Sequence, residues 1–269
     1  MPADIINLSL QIGSDCGDPG PEITDSVNHA VTNGVLVVAA AGNISLEKQQ
    51  KGLLDGTMSR LSSLPGVISV GSANWEGTHL SSFSARGIAG KPQSGPTVIA
   101  PGEDMIGLHL FGKPKTYQQR QRDNQLITQS NMMRQSGQPA DSKTIRRLKK
   151  THTVKSGTSM TCACMSGVLA KFVELRKKFE LSHQYADALE FLRRAARRID
   201  GCAEHEQGLG FVSHVTIQEY FSAMQNEDEF WPGVQFDLLA AWNAAKGDGV
   251  LVGVADTGFS DHPFFPEMT

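Results

Sequence analysis

Seven consecutive apolar residues, Val35-Leu36-Val37-Val38-Ala39-Ala40-Ala41, stand between Gly34 and Gly42. Successive side chains of a strand point to opposite faces, so a strand without polar alternation must be covered on both sides, as in a parallel sheet flanked by helices. Asp4 to Leu10, Val67 to Gly71, Thr97 to Ala100 and Gly249 to Ala255 are further short runs, rich in Ile, Leu and Val and near-continuously apolar. Between the first two, Glu22 to Asn33 has the period of a helix, with Gly34 just past its end. Parallel neighbours need a crossover, and this helix supplies one. The fold class expected is α/β, three layers built around a mostly parallel central sheet.

Other features bound the reading. A chain of 269 residues with 39% hydrophobic content can bury one substantial core. The net charge of −3 gives no reason to expect nucleic acid or an anionic membrane as a partner. Locally the balance differs: residues 113–152 hold ten Lys or Arg against Asp123 and Asp141. This polar stretch reads as a surface insertion. Cys16, Cys162, Cys164 and Cys202 are too few and too scattered for a disulfide framework, and buried free thiols are the default. No run approaches the ~18 apolar residues of a membrane span. Met1-Pro2-Ala3-Asp4 opens straight into a strand without the regions of a signal peptide, so the sequence reads as soluble and names no compartment. After residue 159, Met160, Val168, Leu169, Phe172, Val173 and Leu175 trace a long, largely buried helix, and further helices are expected at His183 to Arg198 and Thr216 to Met224.

Three motifs carry chemistry: Ala39-Ala40-Ala41-Gly42-Asn43 at the end of a strand, Ser156-Gly157-Thr158-Ser159-Met160 at the start of a helix, and Val252-Gly253-Val254-Ala255-Asp256-Thr257-Gly258 near the end of the chain. Together they resemble the subtilisin-like serine peptidases, over most of residues 4–112 and 154–260. In that family the order is aspartate, histidine, asparagine, serine. Here it is asparagine, serine, aspartate, a cyclic rotation with one member missing. The family's His-Gly-Thr-His block would fall after Thr269 or before Met1, and no His-Gly pair occurs in the sequence. The resemblance therefore implies a subtilisin-like fold that is incomplete or circularly permuted. Residues 1–224 read as the rear part of a subtilase domain and residues 225–269 as the front part. Two origins fit: a permuted chain whose last strand docks back into its own sheet, or a segment straddling two tandem modules.

The resemblance implies roles residue by residue. Ser159 would be the nucleophile, its own N–H half of an oxyanion hole. Standing alone, Gly-Thr-Ser is a helix cap and Gly-Asn a turn. The Asn43 side-chain amide would be the other oxyanion donor, and Asp256 would orient the histidine. Peptide or protein substrate would lie along Ser9, Leu10 and Gln11, with a side-chain pocket walled by Ala40, Ala41 and Gly42. Gln11 replaces the glycine usual at that edge. None of the eight histidines fits the role of base; His262-Pro263 matches the dipeptide that often follows the family's aspartate. Thr161-Cys162-Ala163-Cys164-Met165-Ser166-Gly167 stands where the family has a small residue, Pro and His before Val-Ala-Gly, and the spacing of two between Cys162 and Cys164 puts them on different sides of a helix, against paired metal ligation. No cofactor or metal is expected. A serine hydroxyl is a weak nucleophile without a base, so the chain is expected to be nearly inert alone, its histidine coming from a second chain or module. The alternative is a non-catalytic peptide-binding domain that keeps the cleft.

Overall fold

The computed structural model describes residues 3–12, 19–108, 152–223 and 242–255. The chain divides into two units, Met1–Gly102 with Gly157–Asp256, and Glu103–Ser156 with Thr257–Thr269. Most of the second unit lies outside the described residues, as do the insertion from 109 to 151 and Asp256.

The first unit contains a five-stranded parallel sheet. Its strands are β1 (Ile5–Leu8), β2 (Leu36–Ala40), β3 (Val67–Ala73), β4 (Val98–Pro101) and a last strand, Val252–Val254, in the spatial order β4-β3-β2-β1 and then the last strand. Leu36 of β2 pairs with Ile5 of β1, and Val37 with Val67 of β3. The apolar run at 35–41 is explained by its two faces. Leu36, Val38 and Ala40 enter one core with Ile5, Ile68, Val70, Val98 and Ala100, while Val37 and Ala39 enter another with Leu8, Val67 and Leu61.

Helix α1 (Pro21–Thr32) covers the second face through Val27. Gly20 precedes it, and Pro21 occupies its first turn, where a missing N–H costs no hydrogen bond. A short helix, α2 (Leu46–Gln50), follows the β2 strand, capped by Ser45 Oγ accepting from Lys48 N–H at 3.3 Å. The first face is covered by α3 (Thr158–Lys178), α4 (Tyr185–Ala195) and α6 (His214–Ala223), with the single turn α5 (Glu204–Gln207) between the last two. Met165, Leu169, Phe172 and Val173 of α3 meet Phe191 and Leu192 of α4 and Phe221 of α6 in one cluster. Each such buried side chain contributes about 1.5–3 kcal/mol relative to exposure. Phe172 and Phe191 stack at 4.9 Å.

In the second unit, β5 (Met105–Leu108) pairs antiparallel with β6 (His152–Lys155), Leu108 opposite His152. His152 and Thr153, read from sequence as the end of the polar stretch, are strand residues. Numbered in chain order, the last strand of the first unit is β7.

β7 lies parallel to β1 of the same chain, Val252 opposite Ile5 and Val254 opposite Asn7. The segment leading into it is tied down at several points. Trp242 is almost fully buried, 5.7 Å from Phe191 and 5.3 Å from Phe221, with Lys171 Nζ 4.5 Å from its ring centre. Glu174 Oε2 accepts the backbone N–H groups of Lys246, Gly247 and Asp248. Lys177 Nζ lies 2.7 Å from Asp4 Oδ1 and donates to Gly249 O at 3.2 Å. Asp4 Oδ2 accepts from Leu251 N–H at 2.9 Å. Among the described residues, no helix is long and apolar enough to cross a membrane.

Candidate active site

Parallel strands of an open α/β sheet deliver their carboxyl ends to one rim, where sites collect. Ser9 follows β1, Gly42 and Asn43 follow β2, and Gly102 follows β4. Against this rim sits the amino end of α3. Gly157 N–H donates to Gly102 O at 2.9 Å. A Cβ on Gly102 would lie 2.3 Å from Ser72 Oγ and 2.4 Å from Thr161 Cγ2, so only glycine allows this approach. Gly157, at φ +156°, brings the chain into the helix, placing Thr158 and Ser159 in its first turn. The N–H groups there have no intrahelical acceptor, and the positive end of the helix dipole favours negative charge.

The candidate oxyanion donors are fixed by their neighbours. Asn43 Oδ1 accepts from Thr158 N–H at 3.0 Å and from Thr158 Oγ1 at 3.1 Å, while Thr158 Oγ1 accepts from Gly42 N–H at 3.2 Å. A backbone N–H needs an acceptor, so these bonds assign the oxygen of the Asn43 amide to Thr158 and leave Nδ2 as its donor. Nδ2 is 3.6 Å from the point where Gly157 would carry a Cβ. Asn43 is exposed and Ser159 half-buried, so both can be reached from solvent.

Ser159 Oγ donates to Ser9 O at 3.0 Å, and Ser9 Oγ donates to Ser159 O at 3.1 Å. An amide oxygen is too weak a base to take a hydroxyl proton, so this contact does not activate the serine. Four of the described histidines have their partners elsewhere. His29 stands beside Asn33, His79 beside Thr78, and His205 lies 3.7 Å from Asp55. The His214 imidazole is held below its ordinary pKa by burial and by Lys171. His109 and His262 lie outside the described residues, as does Asp256. Ala255, its neighbour in sequence, donates its N–H to Asn7 O at 3.2 Å.

Of the expected substrate-binding residues, Ser9, Gln11 and Gly42 meet at the rim, and the other three do not present their side chains there. Ser9 and Gln11 face the rim near Ser159 and Asn43, whereas Leu10 turns to the other side and packs with the α1 core. Ala40 and Ala41 are fully buried with their methyl groups in two different cores, so a ligand could reach them only through backbone or by way of Gly42. A cavity of about 710 Å³ lies elsewhere, lined by residues including Arg60, Ser62, Ser69, Thr97 and Tyr185 and by none of the candidate site residues.

Asn7 escaped sequence reasoning. It is buried, and its Oδ1 accepts from Ser166 Oγ at 3.0 Å and Cys162 Sγ at 3.1 Å, while its Nδ2 donates to Ser9 Oγ at 3.0 Å. It thus holds Ser9, whose carbonyl receives the Ser159 hydroxyl. A polar residue inside Ile5-Ile6-Asn7-Leu8 was the available signal. Burial pushes the Cys162 thiol up to about 12, which keeps it protonated and a donor. Cys164 is exposed, so the default of burial holds for only one of this pair.

Among solved structures, the protease domain of PatA matches with TM-score 0.54 and 22% identity, over 82% of this chain and 60% of that one. The prenylagaramide maturation protease PagA matches with TM-score 0.53 and 21% identity, over 81% and 62%. The PatG macrocyclase domain matches with TM-score 0.53 and 18% identity, over 81% and 51%. The chain therefore spans about three fifths or less of the length of these structures, and the likeness is one of fold. No curated protein matches it. The family description for the subtilases, peptidase family S8, matches residues 1–210, and with the rim, Ser159 and Asn43 arranged as above, the chain belongs to the subtilase family.

Proposed function

We propose that this chain carries the nucleophile, Ser159, and the oxyanion donors, Asn43 Nδ2 and Ser159 N–H, of a subtilisin-like serine endopeptidase, with Asp256 as the carboxylate that orients a histidine supplied by a second chain or module. Family membership supports peptide-bond hydrolysis as the reaction. The observation that carries the reading is the Asn43 amide, locked on Thr158 with its nitrogen left as a donor beside Gly157, at the head of the helix that presents Ser159. In the reaction, a base takes the Ser159 proton as Oγ attacks the carbonyl carbon. The negative charge that forms on the carbonyl oxygen is met by the two donors, the base returns its proton to the leaving amine as the C–N bond breaks, and water, deprotonated by the same base, then cleaves the Ser159 ester to the carboxylic acid and returns the proton to Oγ.

The Ser159 hydroxyl resting on Ser9 O favours a second reading, a cleft that binds peptide without cutting it. Magnitude separates the two. Loss of the histidine costs about 10⁶-fold in turnover in subtilisin itself, while oxyanion hole and binding retain about 10³–10⁴ over water. The chain alone should therefore not react detectably faster with a fluorophosphonate than Ser159→Ala does, as read by intact mass. Addition of a segment bearing His-Gly-Thr-His should produce labelling confined to the wild type. If no such segment restores labelling, the binding reading replaces the enzyme.

A further inference from the structure

Beyond Ser9 the chain is tied to Ser59 and Arg60, and Ser59 N–H in turn donates to Ala41 O at 2.7 Å. Ile12 N–H donates to Ser59 Oγ at 3.1 Å, and Arg60 N–H donates to Ile12 O at 3.2 Å. Gln11 makes the more telling contact. Its Oε1 accepts from Asn43 N–H at 2.8 Å, and its Nε2 lies 3.5 Å from Asn43 O. An amide that meets both the N–H and the C=O of one residue copies what the facing residue of an antiparallel hydrogen-bonded pair presents with its own C=O and N–H.

The other flank of this segment is already occupied. Asn43 bridges antiparallel to Ser84, Ile44 N–H donates to Phe83 O at 2.7 Å, and Ala85 N–H donates to Gly42 O at 3.0 Å. Gln11 therefore takes the remaining edge. It also fills the space above Gly42, where a Cβ would come within 3.3 Å of Gln11 Cδ and 3.4 Å of Nε2. One extra carbon is already in tight contact there, so a larger side chain entering beside Gly42 meets the Gln11 amide.

We propose that Gln11 is a specificity-determining residue: it closes the side-chain space beside Ser159 and restricts the residue bound there to glycine or alanine. The inference rests on the reading of Ser159 and Asn43 as the reacting site. Gln11 is exposed and, among the described residues, makes its hydrogen bonds through its side-chain amide, so truncation should leave the fold intact.

The test is binding to the full chain, which needs no histidine. Fluorescein-labelled Ala-Ala-Pro-Gly and Ala-Ala-Pro-Phe amides would be titrated by anisotropy against wild type, Gln11→Ala and Gln11→Gly. The wild type should prefer the glycine peptide by about 10-fold, and both variants should reverse the preference, because an opened apolar space rewards a buried phenyl ring. Phenylalanine binding that appears only in the variants also supports the closure. Wild-type affinities within about 2-fold of each other, unchanged in the variants, overturn the role of Gln11 and leave the cleft standing. No binding of either peptide by any of the three proteins overturns the cleft itself, and the closure with it.

Discussion

At the scale of single residues, Asn7 shows how a polar side chain can sit at an apolar position. The period of β1 directs it into the interface with α3, where Ile5 and Leu36 bury hydrocarbon. Its amide is fully used there, by Ser166, Cys162 and Ser9. Ser166, Cys162 and Ser9 retain acceptors in Cys162 O, Val38 O and Ser159 O, so the loss when Asn7 is replaced falls on Ser9 Oγ as an acceptor, which Asn7 Nδ2 supplies with a hydrogen bond. Asn7→Leu should therefore cost about 1–3 kcal/mol, the range for orphaning a buried hydrogen-bonding group, with little dependence on pH. Asn7→Asp keeps the shape but buries a carboxyl, and a buried carboxylate is disfavoured. Its folded-state pKa should lie above the unfolded value near 4, so its penalty should grow as pH rises past about 4. Urea midpoints at pH 4 and pH 8 measure both effects. Equal penalties for Asn7→Asp at the two pH values would show that water reaches the site.

At the scale of elements, β7 depends on a side-chain clamp more than on its own three residues. Burial acts to raise the Asp4 pKa, but the Lys177 ammonium and the Leu251 N–H outweigh it and hold the carboxyl below the ordinary 3.8. A depressed pKa means stabilisation that is complete above the ordinary value and lost as pH falls through the folded one. Amide exchange at Val252 to Val254 should accelerate below about pH 4, ahead of β2 and β3, and Asp4→Asn should remove that dependence; mass-spectrometric hydrogen exchange at graded pH reads it. If Asp4→Asn shows the same acid response, the clamp is not what holds the strand. This level also shows what the sequence could reveal. The strands of the parallel sheet announced themselves through near-continuous apolar runs, interrupted by Asn7 in β1 and by Ser69 and Ser72 in β3, and α1, α3, α4 and α6 through their period, with ends moved by a few residues. The β5–β6 pair did not, because its partners are separated by more than forty residues and His152 and Thr153 carry no apolar signal. Glu174 likewise reads as part of a solvated helix face. Only tertiary structure turns it into the acceptor for three N–H groups. At the site, Ser159 and Asn43 were legible through their motifs, whereas the Gln11 contact with Asn43 needed the fold.

At the scale of the whole molecule, the segments near the two ends of the sequence build one core. Residues of β1 from the start of the chain and Trp242 from near its end belong to the same hydrophobic cluster, and β7 completes the sheet beside β1. Closure within one chain has a thermodynamic consequence that closure by a second copy would not have: it should be independent of concentration. Removing everything after Ala223 deletes both contributions. The loss of a buried indole against Phe191 and Phe221 costs about 3–5 kcal/mol by analogy with large core truncations. The bared edge of β1 then offers unpaired N–H and C=O groups to another chain. The full chain should sediment as one species with a melting temperature unchanged across a hundred-fold dilution. The truncated chain should melt lower and associate as concentration rises, with a separate peptide of residues 224–269 reversing both effects. A truncated chain that stays monomeric and melts where the full chain does would mean that the parallel sheet ends functionally at β1 and that the terminal strand is an accessory. Restoration by the peptide would instead place the asparagine, the serine and the strand leading to Asp256 in one cooperative unit, whatever the order in which the sequence presents them.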